Sequence, residues 1–85
     1  MHPRVLVLDL RAVFDLEYSA LKMLIEAEAR GRAAGIELWL GAMQPEVLAV
    51  VKRSPLGEAL GDARMFTSID SAVKKFRGQY GEPHA

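Results

Sequence analysis

The chain has 85 residues, 51% apolar and 26% charged, with eleven basic side chains balanced by eleven acidic ones and no cysteine. That length holds one hydrophobic core, and the composition is that of a folded globule rather than a disordered or disulfide-stapled chain. Zero net charge leaves no summed field to draw in nucleic acid or an anionic membrane surface, and the missing thiols exclude disulfides and thiolate metal sites, which fits a reducing cytosol.

Val5, Leu6, Val7 and Leu8 form a branched apolar run, the pattern of a strand buried on both faces of a parallel sheet. Asp9 cuts the run far short of the roughly 20 residues a membrane helix needs. No small-residue cleavage site follows it, as a secretory signal would require. Asp15 is placed to cap a helix from about Leu16 to Ala34, with Glu17 complementing its positive end. Gly35 then supplies a left-handed stop, and Ile36, Leu38 and Leu40, with Trp39 among them, predict a second strand closed by Gly41 and Ala42.

Pro45 suits the first turn of a helix whose Val47, Leu48 and Val51 form an apolar side and which ends at Pro55. Leu56 to Leu60, bracketed by Gly57 and Gly61, reads as an irregular or single-turn segment with two leucine anchors. Met65 and Phe66 mark a short third strand. Ser68 caps a last helix, in which Ile69, Ala72, Val73, Phe76 and Tyr80 follow helical spacing. The order β-α-β-α-β-α predicts an α/β fold, a small mostly parallel sheet with right-handed crossovers and helices packed on it. We expect a single domain over 1–85, with a structured core at 4–80 and a frayed tail at 81–85.

The motifs of small-molecule chemistry are missing. A dinucleotide fold needs glycines after its first strand, where Arg11, Ala12 and Val13 stand, and no Gly-Lys-Ser or Gly-Lys-Thr triplet makes a phosphate loop. Asp9 lacks the acidic cluster and lysine of a phospho-accepting receiver, and the second aspartate of an aspartate-based phosphatase is replaced by Arg11, so Asp9 reads as structural. His2 and His84 lie near the termini, and no ordered histidine activates Ser19, Ser54, Ser68 or Ser71. The sequence therefore predicts a non-enzyme, with no metal and no cofactor.

Two candidate surfaces remain. Ligands of parallel sheets collect beyond the carboxyl ends of the strands, where Arg11, Asp15, Ser19, Thr67 and Ser68 would meet an anion or nucleotide phosphate at converging helix N-termini; ordinary loops and caps account for the same residues. The first helix, projected at 100° per residue, carries two apolar stripes. Leu16, Ala20, Met23, Leu24 and Ala27 form one. Tyr18, Leu21, Ile25 and Ala29 form the other, with Glu17, Glu28 and Arg32 on one flank between them and Lys22 and Glu26 on the other. Only one stripe can face the sheet, so the second is a candidate partner face, self-association being its simplest use.

The run from Val5 to Leu10 leading into Asp15-Leu16-Glu17-Tyr18-Ser19-Ala20-Leu21 resembles a STAS domain of the SulP anion-transporter branch. Gly35-Ile36-Glu37-Leu38-Trp39-Leu40, Pro45-Glu46-Val47, Arg53-Ser54-Pro55-Leu56 and Met65-Phe66 follow the family order with similar spacings. The resemblance implies a non-catalytic cytosolic domain under a transporter of sulfate or related anions, without membrane insertion of its own. Its partners would be the membrane domain or another protein, or a second copy through the first helix or an open sheet edge. Family domains usually begin with further strands before the segment matching Val5, so a shortened domain or a fragment is expected, with an open edge on the first strand. In the anti-sigma-factor antagonist branch the helix start carries a phosphorylated hydroxyl. The matching positions here are Glu17, Tyr18, Ser19 and Ala20, which puts Tyr18 at the acceptor position and leaves Ser19 as the nearest serine. A free-standing phospho-switch of that branch is the alternative function.

Overall fold

The computed structural model describes residues 4–81; His2, His84 and all but the first residue of the tail expected at 81–85 lie outside them. Strand β1 (Arg4–Asp9), helix α1 (Tyr18–Ala33), strand β2 (Ile36–Gly41), helices α2 (Pro45–Lys52) and α3 (Pro55–Leu60), a 3-10 turn at Asp62–Arg64, strand β3 (Met65–Phe66) and helix α4 (Ile69–Tyr80) follow in that order. The three strands are parallel in the order β1-β2-β3. Their register runs from Arg4 opposite Ile36 to Asp9 opposite Gly41, and β3 joins at Leu40–Met65 and Gly41–Phe66.

Alternation along β2 divides the molecule into two layers. Leu38 and Leu40 point into a core with Val47, Val51, Leu56 and Leu60, against which Leu21, Leu24 and Ile25 of α1 also pack. Trp39 points to the opposite face, where α4 lies: its ring meets Phe66 at 5.1 Å and Phe76 at 6.5 Å between centroids. Flanked on both sides and covered on both faces, β2 is the buried strand, with Leu38, Trp39 and Leu40 no more than 4% exposed.

The first strand is corrected by this topology. The apolar run of β1 predicted burial on both faces, yet β1 is an outer strand and Leu6 at its middle is 52% exposed. The start of α1 is corrected as well. Leu16, expected as its first residue, precedes the helix and packs against the core. The chain is still extended at Glu17, which occupies the N-cap without a side-chain cap bond, so Asp15 lies too early to cap anything. At the other end Gly35 has φ of 79°, the left-handed stop that its position predicts.

The helix that opens at Pro45 ends before Pro55, as expected. α2 stops at Lys52, and Ser54 starts α3 by accepting hydrogen bonds from the amides of Leu56 (3.2 Å) and Gly57 (3.4 Å). The stretch expected to be irregular or a single turn is thus a capped six-residue helix, and it drives Leu56 and Leu60 into the core at 0% and 4% exposure. Ser68 caps α4 as expected, accepting from the Ser71 amide at 3.1 Å.

Candidate functional site

The connections at the carboxyl ends of the strands are held by polar side-chain contacts as well as by the packing of Leu10, Val13, Leu16 and Met43 against the core. Asp9 grips Arg11 through a 2.6 Å Nη2–Oδ2 contact and a 2.9 Å Nε–Oδ2 contact, and also accepts the Arg11 amide at 3.0 Å. These hydrogen bonds from Arg11, side-chain bonds foremost, hold the Asp9 carboxyl below its ordinary value and raise the guanidinium further. Gln44 Nε2 donates to the Arg11 carbonyl at 2.8 Å, tying the β1–α1 connection to the β2–α2 connection. Ala42, at φ of 59°, lets the chain turn there while its amide donates to the Phe66 carbonyl at 3.0 Å.

A shallow cleft of about 320 Å³ lies between these connections and the start of α4, lined by Arg11, Gln44, Thr67, Ser68 and Asp70 among others. Of the five residues expected to meet an anion, Arg11, Thr67 and Ser68 come together there. Asp15 and Ser19 are exposed and do not line it. Arg11 lends its charge to Asp9, Ser68 is engaged with Ser71, and Asp70 adds a carboxylate.

The start of α1 is open to solvent. Glu17 and Ser19 are exposed, Tyr18 is 80% exposed and Ala20 is half-buried. Phe14 in the preceding connection and Met23 in the second turn are 72% and 68% exposed, so three large apolar side chains stand out of one short segment.

The partner face drawn through Tyr18, Leu21, Ile25 and Ala29 is corrected. Tyr18 and Ala29 are exposed, but Leu21 and Ile25 are half-buried against the core together with Leu24 of the other stripe. The cause is Glu28, which stood as a charged divider between the stripes. It is only 4% exposed and lies in the middle of the inward face, its carboxylate 3.8 Å from the exposed Arg32 guanidinium. An i,i+4 arginine that reaches solvent lets a glutamate stem serve as core, and the two stripes merge into one broad buried face.

On the opposite sheet face Glu37 organises a cluster that the sequence did not announce. Its carboxylate accepts from Tyr80 Oη at 3.0 Å and Trp39 Nε1 at 3.4 Å and pairs with Arg64 Nε at 3.1 Å. The bond to Glu37, with burial and the same carboxylate's charge behind it, pushes the Tyr80 phenol above its usual 10.0. Lys75 Nζ lies 5.5 Å from the centroids of the Trp39 and Phe66 rings and donates to the Ala63 carbonyl. These contacts pin α4 to the sheet. Tyr80 and Glu37 lie 43 residues apart, so no local spacing links them.

A three-stranded parallel sheet with helices on both faces defines a small α/β module. The STAS domain model matches residues 2–72, most of the chain, and the protein belongs to the STAS family. No curated protein and no solved structure matches it. Among the described residues no helix is long and apolar enough to cross a membrane.

Proposed function

We propose that this STAS domain is a non-catalytic regulatory module that docks a protein through the β1–α1 connection and the first turns of α1. The observation that carries the reading is the exposure of Phe14, Tyr18 and Met23 on one short segment. Burying a large apolar side chain contributes about 1.5–3 kcal/mol; Tyr18 and Met23 project about 140° apart on the helix, so Phe14 with Tyr18 is the anchor we assign. The adjoining cleft supplies a polar rim in Gln44, Thr67 and Asp70.

The partner we assign is the membrane domain of a SulP-type transporter of sulfate or a related anion, with this domain on the cytosolic side. The order and spacing of Gly35–Leu40, Arg53–Leu56 and Met65–Phe66 support that branch. Tyr18 at the acceptor position speaks against the phospho-switch of the anti-sigma-factor antagonists. The test is a fluorescence-anisotropy titration of the labelled domain with the solubilised membrane domain of a SulP-type transporter from the same genome. Binding should saturate, and the double variant Phe14→Asp, Tyr18→Asp should weaken it at least tenfold, about 1.4 kcal/mol, with unchanged circular dichroism. An affinity indifferent to the double variant rejects the docking surface, and absence of saturation rejects the transporter.

A further inference from the structure

Zero net charge hides a separation of charge along the sheet. Because the strands are parallel, each helix that follows a strand starts at the carboxyl end and returns toward the amino end. Asp15, Glu17, Glu46 and Asp70 stand at the carboxyl end, and the one arginine there, Arg11, is gripped by Asp9. The other six of the seven arginines lie toward the amino end. Arg30 and Arg32 are in the last turn of α1, Arg53 follows α2 and Arg77 is in the last turn of α4, while Arg4 opens β1 and Arg64 precedes β3. Lys52 shares a cleft with Asp62, which sets the end of α2 beside the turn before β3, and the Tyr80 bond to Glu37 sets the end of α4 beside the start of β2. Helix ends favour cations, but no helix end accounts for Arg4. Of the carboxylates at this end, Glu28 and Glu37 face Arg32 and Arg64. Glu58 and Asp62 are outnumbered by Arg4, Arg30, Lys52 and Arg53, none of which makes an ion pair among the described residues.

Within this basic end Arg32 and Arg64 line one recess of about 270 Å³, together with Gly35, Ile36 and Glu37. A guanidinium carries five N–H donors in a planar fork that matches a carboxylate. Glu37 takes Arg64 through Nε at 3.1 Å, and Glu28 stands 3.8 Å from Arg32, outside hydrogen-bonding reach. Both forks therefore keep donors for an acceptor from outside the chain. We propose that the amino end of the sheet binds an acidic segment of a partner protein, with one carboxylate entering the recess between Arg32 and Arg64 and its neighbours held by the surrounding excess of positive charge. Two guanidiniums and the Glu37 carboxylate leave the lining of the recess with one positive charge, which a single carboxylate balances. A recess of this size admits an aspartate or glutamate side chain, whereas the phosphates of a bilayer or a nucleic acid are set along a surface and meet only its rim. This contact lies at the opposite end of the sheet from the docking segment proposed above, and either can hold without the other.

Fluorescence anisotropy of a labelled peptide of alternating glutamate and glycine, titrated with the full chain at low salt, tests it. Binding should saturate, weaken as salt is added, and be absent for the same peptide with glutamine in place of glutamate. Arg64→Lys keeps the charge and loses the fork, and Arg30→Glu reverses an exposed charge that has no ion pair. Each should weaken binding by about fivefold, the upper range for an exposed ion pair, with circular dichroism unchanged. Lys22→Glu, the same change of charge near the start of α1, should leave the affinity as it is. Three results overturn the proposal: no saturation by the glutamate peptide, an affinity unchanged in Arg64→Lys or in Arg30→Glu, or tighter attachment to phosphatidylserine vesicles or single-stranded DNA than to the peptide.

Discussion

Replacing Gly57 with alanine adds one methyl group where the backbone leaves no room for it. A Cβ there meets the Val51 carbonyl oxygen and lies 2.9 Å from both Cα and the carbonyl oxygen of Lys52. All three are main-chain atoms, so no side chain can swing aside, and α3 must retreat from the end of α2 by about half an ångström or more to restore ordinary contact. That retreat draws Leu56 and Leu60 out of the core they close. Overpacking of this kind costs roughly 1–3 kcal/mol, and rigid neighbours put it at the upper end. The helix propensity gained over glycine returns at most about 1 kcal/mol, which leaves a net loss near 2. For a domain of this size that corresponds to a fall in melting temperature of about 8–16 °C. Gly78, inside α4, is the control, because a Cβ there meets nothing within 4 Å. Gly78→Ala should stabilise by up to about 1 kcal/mol. Thermal and urea unfolding followed by circular dichroism measure both. A Gly57→Ala chain as stable as wild type would refute the close approach of α2 and α3.

Other consequences follow from single contacts. Ser54→Ala removes the acceptor for the Leu56 and Gly57 amides and should cost about 1 kcal/mol in urea unfolding. The Tyr80 phenol, raised above 10.0 by its bond to Glu37, contributes stability that is fully present below pH 10.0 and is lost as pH rises through the folded-state value. In a Tyr18→Phe chain, phenolate absorbance should report one transition above 10.0, and Glu37→Gln should move it back toward that value. Asp9 runs the other way. Its lowered carboxyl contributes stability present above pH 3.8 and lost as pH falls through the folded-state value, and Arg11→Ala should return its carboxyl shift in an NMR titration toward the ordinary value.

The fold was legible where local chemistry decides. Gly35 ends α1, Pro45 opens α2, Ser68 caps α4, and the alternation of strand and helix predicts the parallel sheet. It was less legible where tertiary contact overrides local pattern. Asp15 resembles a cap, but the core contact of Leu16 holds the connection extended for two more residues. Ser54, between two prolines' helices, is as good a cap as Ser68, yet Gly57 beside it reads as a breaker until the close approach of α2 shows why glycine is needed. For the site, the residue types at the strand ends indicated that Arg11, Thr67 and Ser68 would meet, but not that Arg11 would be held by Asp9. Glu28 misled the reading of α1, because a charged residue is read as surface unless an arginine one turn away is known to carry its carboxylate outward. Which apolar residues stay exposed, Phe14 and Met23 above all, depends on where the chain turns before α1 and not on their own identity.

The proposed docking at the start of α1 is tested most directly by hydrogen exchange read by mass spectrometry. The domain is labelled alone and with saturating transporter membrane domain. Docking there should slow exchange in residues 11–23, spanning the β1–α1 connection and the first turns of α1, with α3 unchanged. Slowed exchange confined to other segments, or none at all, would contradict it.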